Sequence, residues 1–168
     1  SYVGNLGKAA PQSITIGILS FAKGNNFGVN KNFDKAIEEL KAKGFNFVEI
    51  ESWDPGEGFF EAAYKVLKYE FKATLNNYLS TTNTDVEVRS LKDLIEFNKK
   101  DERELKIFDQ SIFLSSEKLD NLNSEDYKDS LELILSATRE NGIDKLMEQY
   151  KVDFLMAPSA APTFLIDH

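Results

Sequence analysis

The sequence predicts an α/β protein with a small, mainly parallel sheet of about three strands, packed with several long helices. The first observation is a strand, helix and strand pattern within the first fifty residues, because such a crossover makes two strands parallel with a right-handed connection. The second is the apolar run Val152 to Met156, closed by Pro158 and Pro162, which is typical of a strand buried on both faces. The third is helical periodicity over most of the remaining chain.

The first fifty residues carry the elements of this crossover. Ile14 to Leu19 is rich in aliphatic and β-branched side chains and is predicted to form the first buried strand. Phe21 to Lys31 contains two glycines and three asparagines and is predicted to be a loop. Asn30 or Asn32 is expected to cap the following helix, which should end at Gly44.

A second strand and a long helix are predicted next. Phe45 to Ile50 alternates and then runs apolar, as strands do, and Trp53 to Gly56 has the composition of a turn. From Glu57 to about Leu79 no proline interrupts a helical pattern, and burial on more than one side is expected. The face predicted to be buried consists of Phe60, Ala63, Leu67, Phe71, Leu75 and Tyr78, widened by Phe59, Tyr64 and Val66.

Residues 1–168 are predicted to form a single α/β domain. The polar stretch Ser80 to Thr84 indicates the likeliest internal boundary, near residues 80–86. Beyond it, Ser90 stands three residues before Asp93, a pattern related to the capping box, and is expected to open a short helix.

The part of the chain from Leu105 to the final strand is predicted to be helical. Leu105 to Leu119 is expected to form helix in pieces. Asn123 or Ser124 is predicted to cap a long helix whose first turn is acidic, as the helix dipole favours. Asn141 and Gly142 are expected to bend or break this helix.

Composition excludes several classes of function. The 28 acidic and 20 basic residues give a net charge of -8, which argues against a nucleic-acid partner. The apolar runs are too short to span a bilayer, so no membrane role is expected. The absence of cysteine excludes disulfides, zinc fingers and thiol catalysis. We predict no metal and no cofactor, and a cytoplasmic location by base rate, although a removed signal peptide would leave the same sequence.

The sequence contains no recognisable set of residues for nucleophilic catalysis. A Ser-His-Asp triad needs a histidine, and the single one is the final residue, His168. Ser115 and Ser116 have no flanking glycine for a nucleophile elbow and are expected to cap or precede a helix. Most glutamates are interpreted as helix surface. Glu70, flanked by aromatic residues, is hypothesised to anchor the loop that follows by accepting hydrogen bonds.

Five landmarks follow one another along almost the whole chain. They are the strand 16–19, the helix end 40–44 before an apolar strand, the YEFK…LN…YL helix 69–79, the RSLKDLIEFN segment 89–98 and the strand 153–158. Their order and spacing resemble those of the amidase signature family of hydrolases, and the last landmark resembles that family's D-x-L-x-x-P-(S/T) strand and loop.

The resemblance implies the C-terminal portion of an amide hydrolase that lacks its own catalytic residues. Enzymes of this family use a Ser-Ser-Lys triad in a Gly/Ser-rich signature to hydrolyse amides through an acyl-enzyme, and neither the signature nor a matching lysine occurs here. No catalytic residue is therefore assigned. The family's loop after the last landmark strand approaches the substrate pocket, which nominates five lining positions: Ser159, Ala160, Ala161, Pro162 and Thr163.

The partners implied are the remainder of a parent amidase chain and, in that parent, a small amide substrate. Self-association is a further expectation, because faces that meet a missing portion should be apolar. Two alternatives stay open: a non-enzymatic α/β binding or interaction domain, and a small self-sufficient enzyme that uses carboxylates. An expressed fragment, a proteolysed parent and a retained gene remnant would all give such a sequence.

Overall fold

The computed structural model describes residues 10–101, 103–107 and 109–159. These residues group into two compact units. The first takes the described residues up to Glu57 and from Leu135 onward, and the second is Gly58–Ile134. Residues 80–86, where the composition suggested a boundary, lie inside the second unit and connect two of its helices.

The first unit is built on a three-stranded parallel sheet, which confirms the predicted fold class. Its strands are β1 (Thr15–Leu19), β2 (Asn46–Ile50) and β3 (Phe154–Met156), in the order β2-β1-β3. Helix α1 (Phe27–Ala42) connects β1 to β2 as the predicted crossover. It ends as expected, with Gly44 in the left-handed region at a φ of 93°.

Successive side chains of β1 point to opposite faces of the sheet, and both faces are covered. On one face Ile18 packs with Phe33 and Ile37 of α1. On the other face Leu19 and Ile50 form a core cluster with Leu146. The central strand is therefore buried on both sides, as in α/β proteins generally.

Two predictions about this unit are wrong in detail. Helix α1 begins at Phe27, inside the predicted loop, because the side chain of Asn26 accepts a hydrogen bond from the backbone N–H of Val29 and caps it. Neither Asn30 nor Asn32 is the cap. Strand β3 is shorter than predicted and is an edge strand, so Phe154 is 58% exposed rather than buried.

The second unit is helical. It contains α2 (Phe59–Ser80), α3 (Leu91–Lys99), α4 (Glu104–Ile107) and α5 (Ser111–Glu117). Helix α6 (Glu125–Thr138) begins in this unit and continues into the first. A π-helical turn (Arg139–Asp144) and α7 (Lys145–Tyr150) follow it.

Local signals place these helix ends correctly. Ser90 accepts a hydrogen bond from the N–H of Asp93 and caps α3. At the start of α6 the hydroxyl of Ser124, one of the two predicted caps, accepts from the N–H of Tyr127. The expected break falls at Gly142, whose backbone angles are not helical.

The buried side of α2 matches the prediction only in part, since Phe59 and Val66 of the widened face are buried but the centre of the predicted face is not. Its buried side chains are Phe59, Ala62, Val66 and Tyr69. In the predicted face, Phe60, Leu67 and Tyr78 are each more than half exposed. Both faces are apolar, so helical periodicity alone did not distinguish the side that is buried.

Candidate functional site

The segment nominated from the sequence leaves the carboxyl end of β3. In α/β sheets, ligands bind outside the carboxyl ends of parallel strands, so the position suits a pocket. Ser159 lies there, exposed, two residues beyond Ala157. The other four nominated residues, Ala160, Ala161, Pro162 and Thr163, lie outside the described residues. Pocket lining by this segment therefore stays a prediction.

A concavity of about 400 Å³ opens beside Ser159. It lies between the N-terminal half of α1 and the end of β3, and its walls are mainly apolar. Phe33, which is 7% exposed, forms part of its floor and also belongs to the core cluster beneath the sheet. The lining residues are Val29, Asn32, Phe33, Met156, Ala157, Pro158 and Ser159.

The start of β3 is fixed by a pair of hydrogen bonds to β1. The N–H of Thr15 donates to the carboxylate of Asp153 at 2.8 Å, and the N–H of Asp153 donates to the carbonyl of Thr15 at the same distance. This pair sets the parallel register in which Gly17 lies opposite Leu155. The aspartate of the D-x-L-x-x-P landmark is therefore a structural residue at the end of the strand away from the concavity.

Gly17 allows close packing above the centre of the sheet. A methyl group at this position would lie 2.9 Å from Ile50 Cδ1, 3.0 Å from Leu155 Cδ2 and 3.2 Å from Val152 Cγ2. Such distances are shorter than side chains tolerate without moving. The glycine of the first landmark is therefore explained by packing between β2, β3 and the segment before β3.

A hydrogen bond, an ion pair and a contact between a cation and an aromatic ring fix the chain between β1 and α1 near the concavity. The side-chain amide of Asn30 donates to the carbonyl of Gly24 at 2.8 Å. Lys23 forms an ion pair with Asp34, and its ammonium lies 5.7 Å from the ring centre of Phe33. These contacts hold the first turns of α1, and hence one wall of the concavity, in place.

The YEFK…LN landmark on α2 forms tertiary hydrogen bonds within the second unit. Tyr69 donates to Asp126 at 2.9 Å, and Glu70 accepts from Tyr127 at 2.8 Å. Lys72 donates at 2.8 Å to the carbonyls of Glu117, the last residue of α5, and Leu119, two residues beyond it. Asn76 accepts from the N–H of Leu91 at 2.7 Å. Each polar landmark residue thus holds a segment remote in sequence. The sequence suggested a structural role only for Glu70, and the predicted partner was wrong, because Glu70 accepts its bond from Tyr127 on α6 and not from the loop that follows α2.

Charged groups around Tyr69 are paired. Asp126 accepts from Lys65 at 2.7 Å as well as from Tyr69, and these bonds hold the pKa of its carboxyl below the usual 3.8. The same bond to Asp126 raises the pKa of Lys65. Burial, and then the bond to Glu70, raises the pKa of Tyr127. Lys65 and Asp126 stabilise each other's charged forms, and the bond to Glu70 stabilises the neutral form of Tyr127. These interactions therefore fit a structural network.

The serines considered as nucleophiles are engaged in helix hydrogen bonds. Ser115 and Ser116 lie inside α5, which corrects their prediction as capping residues. Both hydroxyls donate to the carbonyl of Ile112, at 2.9 and 2.8 Å, and Ser116 is fully buried. Serine and threonine in helices commonly bond back to the preceding turn in this way. His168 lies outside the described residues.

Neither a metal centre nor a membrane span is found in the part of the chain that the structure describes. Within residues 10–101, 103–107 and 109–159, no three His, Cys, Asp or Glu side chains are grouped so that they could hold a metal ion. Over the same ranges, no helix combines the length and the apolar character needed to cross a bilayer.

Comparison with known proteins gives a family and a fold. The amidase family model matches residues 2–168. No curated protein matches. A solved peptide amidase from Stenotrophomonas maltophilia superimposes with a TM-score of 0.75 and 27% identity, over 93% of this chain and 32% of that one. The structure of a peptide amidase with the competitive inhibitor chymostatin gives the same values.

A third solved structure is more distant. An amidase family protein from Bacillus anthracis str. Ames gives a TM-score of 0.58 at 22% identity, over 87% of this chain and 28% of that chain, and shows the fold alone. The present chain therefore spans about a third of the length of the solved structures it matches.

Proposed function

Because the chain belongs to the amidase family, we propose that it is the C-terminal portion of a larger hydrolase of carbon–nitrogen amide bonds and is not catalytic by itself. The observation that carries the proposal is the family match over residues 2–168, together with the share of the relatives' length that the chain spans. The likeness to peptide amidases supports amide hydrolysis as the reaction of the parent.

The arrangement of polar residues supports the absence of catalysis in this portion. The landmark residues of α2 hold backbone segments and side chains of the second unit, and Asp153 holds the start of β3. The serines of α5 donate to a helix carbonyl. In the parent, the nucleophile, base and oxyanion donors would come from the Ser-Ser-Lys signature elsewhere in the polypeptide.

The contribution of this portion to the parent would be one wall of the substrate pocket. The concavity beside Ser159 has an apolar lining and lies at the carboxyl ends of the strands, where α/β enzymes bind their ligands. Residues 159–163 would line the pocket, with a small amide as the ligand. Apolar faces that meet the rest of the parent would favour self-association when this portion is isolated.

The intact mass of the protein made by the source cell tests the proposal. The protein would be captured with an antibody to this region and its mass measured. We expect a chain several hundred residues longer, with a Gly/Ser-rich stretch and a preceding lysine encoded upstream. A native species of this chain's own mass would overturn the proposal and favour a stand-alone binding domain.

Catalysis by this portion alone is tested by an amidase assay on the purified 168-residue chain. We expect no turnover. Hydrolysis that survives a second purification would contradict the proposed inactivity and direct attention to the carboxylates of the chain.

A further inference from the structure

Helix α2 has two apolar faces on opposite sides. The face formed by Phe59, Ala62, Val66 and Tyr69 is buried. At 3.6 residues per turn, the opposite side carries a second apolar row, which we call the outer stripe. The outer stripe consists of Phe60, Tyr64, Leu67, Phe71, Leu75 and Tyr78.

Much of the outer stripe is exposed. Tyr64 is 48% exposed, Leu67 56% and Tyr78 65%, and Phe60 is 58% exposed although its ring packs edge-on against Phe59. The rise of the helix separates the first and last of these residues by about 27 Å. Exposed apolar residues that recur on one face over this length differ from the isolated ones common on protein surfaces.

The middle of the stripe is partly covered by the second unit itself. Phe71 is half-buried and stacks on Phe113 of α5, with ring centres 5.5 Å apart. Polar side chains border the row: the ammonium of Lys68 lies 4.8 Å from the ring centre of Tyr64, and Glu61 is exposed one residue along from Phe60. An apolar centre with aromatic anchors and a charged rim is the usual composition of a docking surface.

The size of the stripe indicates what covers it. Four side chains about half exposed leave on the order of 500 Å² of surface, given about 150–250 Å² for each aromatic side chain. A stable complex of two separate chains needs about 800 Å² from each partner. A smaller apolar surface suffices when the partner is part of the same chain, because tethering supplies a high effective concentration. About two-thirds of each matched peptide amidase has no counterpart in this chain.

We propose that the outer stripe of α2 is the docking surface for the portion of the parent amidase that has no counterpart in these 168 residues. The inference rests on the proposed function and adds the location of the contact. The docked portion would present an apolar face to Tyr64, Leu67 and Tyr78.

A pair of substitutions on α2 tests this location. Leu67→Glu places a carboxylate in the stripe, and Asn77→Glu places the same group at an exposed position on another side of the helix. Each would be made both in the 168-residue chain and in the full-length protein that the mass measurement defines. We expect Leu67→Glu to lower the thermal midpoint of the full-length protein by about 3 °C or more, the shift expected for loss of an apolar contact. It should leave the 168-residue chain unchanged, and Asn77→Glu should be neutral in both.

Equal effects of Leu67→Glu in the two proteins would overturn the docking site while leaving the family function intact. A native protein of this chain's own mass would overturn the proposed function and the docking proposal together. Hydroxyl-radical labelling of the unsubstituted proteins gives a measurement that does not depend on folding of a variant. Tyr64 and Tyr78 should be oxidised several-fold more slowly in the full-length protein, and equal rates would contradict the proposal. A dimer of the full-length protein that Leu67→Glu alone dissociates would instead identify a second copy as the occupant and overturn the proposal.

Discussion

Replacement of Gly17 by alanine should destabilise the first unit, because the added methyl group has no room. It would meet Ile50, Leu155 and Val152 at 2.9 to 3.2 Å. The two closest atoms are ends of flexible side chains, but they approach from two different strands at once, and Ile50 is fully buried. Extra methyl groups in a packed core cost about 1–3 kcal/mol. Alanine recovers roughly 0.5–1 kcal/mol of the backbone entropy that glycine loses in a strand. The expected net loss is about 1–2 kcal/mol of unfolding free energy.

The fluorescence of Trp53 provides the assay. It is the single tryptophan of the sequence and packs against the core cluster that contains Ile50. With a urea m-value of about 2 kcal/mol/M, the midpoint for Gly17→Ala should fall by about 0.5–1 M with m unchanged. Gly28→Ala is the matched control, since its nearest neighbour, Asn26 Oδ1, lies at 3.4 Å. A urea midpoint for Gly17→Ala equal to or above that of the unsubstituted chain would refute the packing argument.

Four further substitutions test three polar contacts. Asp126→Asn should lower the urea midpoint at neutral pH, because the bond to Lys65 holds the pKa of the Asp126 carboxyl below 3.8 in the folded state. This stabilisation is present above pH 3.8 and should disappear as the pH falls through the lower folded pKa. Glu70→Gln and Tyr127→Phe should each lower the thermal midpoint, and a double-mutant cycle should give a coupling of about 0.5–1 kcal/mol for their hydrogen bond. Asn26→Ala should cost about 1 kcal/mol in urea unfolding through loss of the α1 cap.

The substitutions of Asp126 and Asn26 each have a control on the same helix. Asp129→Asn removes an exposed carboxyl from α6 and should not change the acid dependence; a parallel change would contradict the role of Asp126. An unchanged thermal midpoint for Glu70→Gln would eliminate its structural role. Asn32→Ala should be neutral in unfolding, since Asn32 lies within α1, and a loss equal to that of Asn26→Ala would contradict the assigned start of the helix.

The order of elements in the first unit follows from local signals. Different periodicities distinguish the strand from Ile14, the helix after it and the strand from Phe45. Because a helix lies between the two strands, a parallel crossover is the favoured topology. The caps at Ser90 and Ser124 depend on hydrogen bonds across three residues, so they could be predicted without tertiary information. The cap of α1 at Asn26 was not predicted, because several asparagines in the same loop are equally suitable as caps.

Contacts between distant segments were decided by the tertiary structure. The sequence shows that α2 is apolar on more than one side, but the side that packs within its unit depends on what lies against it. The bonds of Tyr69 to Asp126 and of Glu70 to Tyr127 each join residues 57 positions apart. Periodicity reports the local backbone conformation and the pattern of apolar side chains, whereas burial and pairing depend on which remote groups the fold brings within contact distance. For this reason the sequence by itself determined the fold class and the family resemblance, and only the tertiary structure decided which face of α2 is covered and which polar residues hold the second unit together.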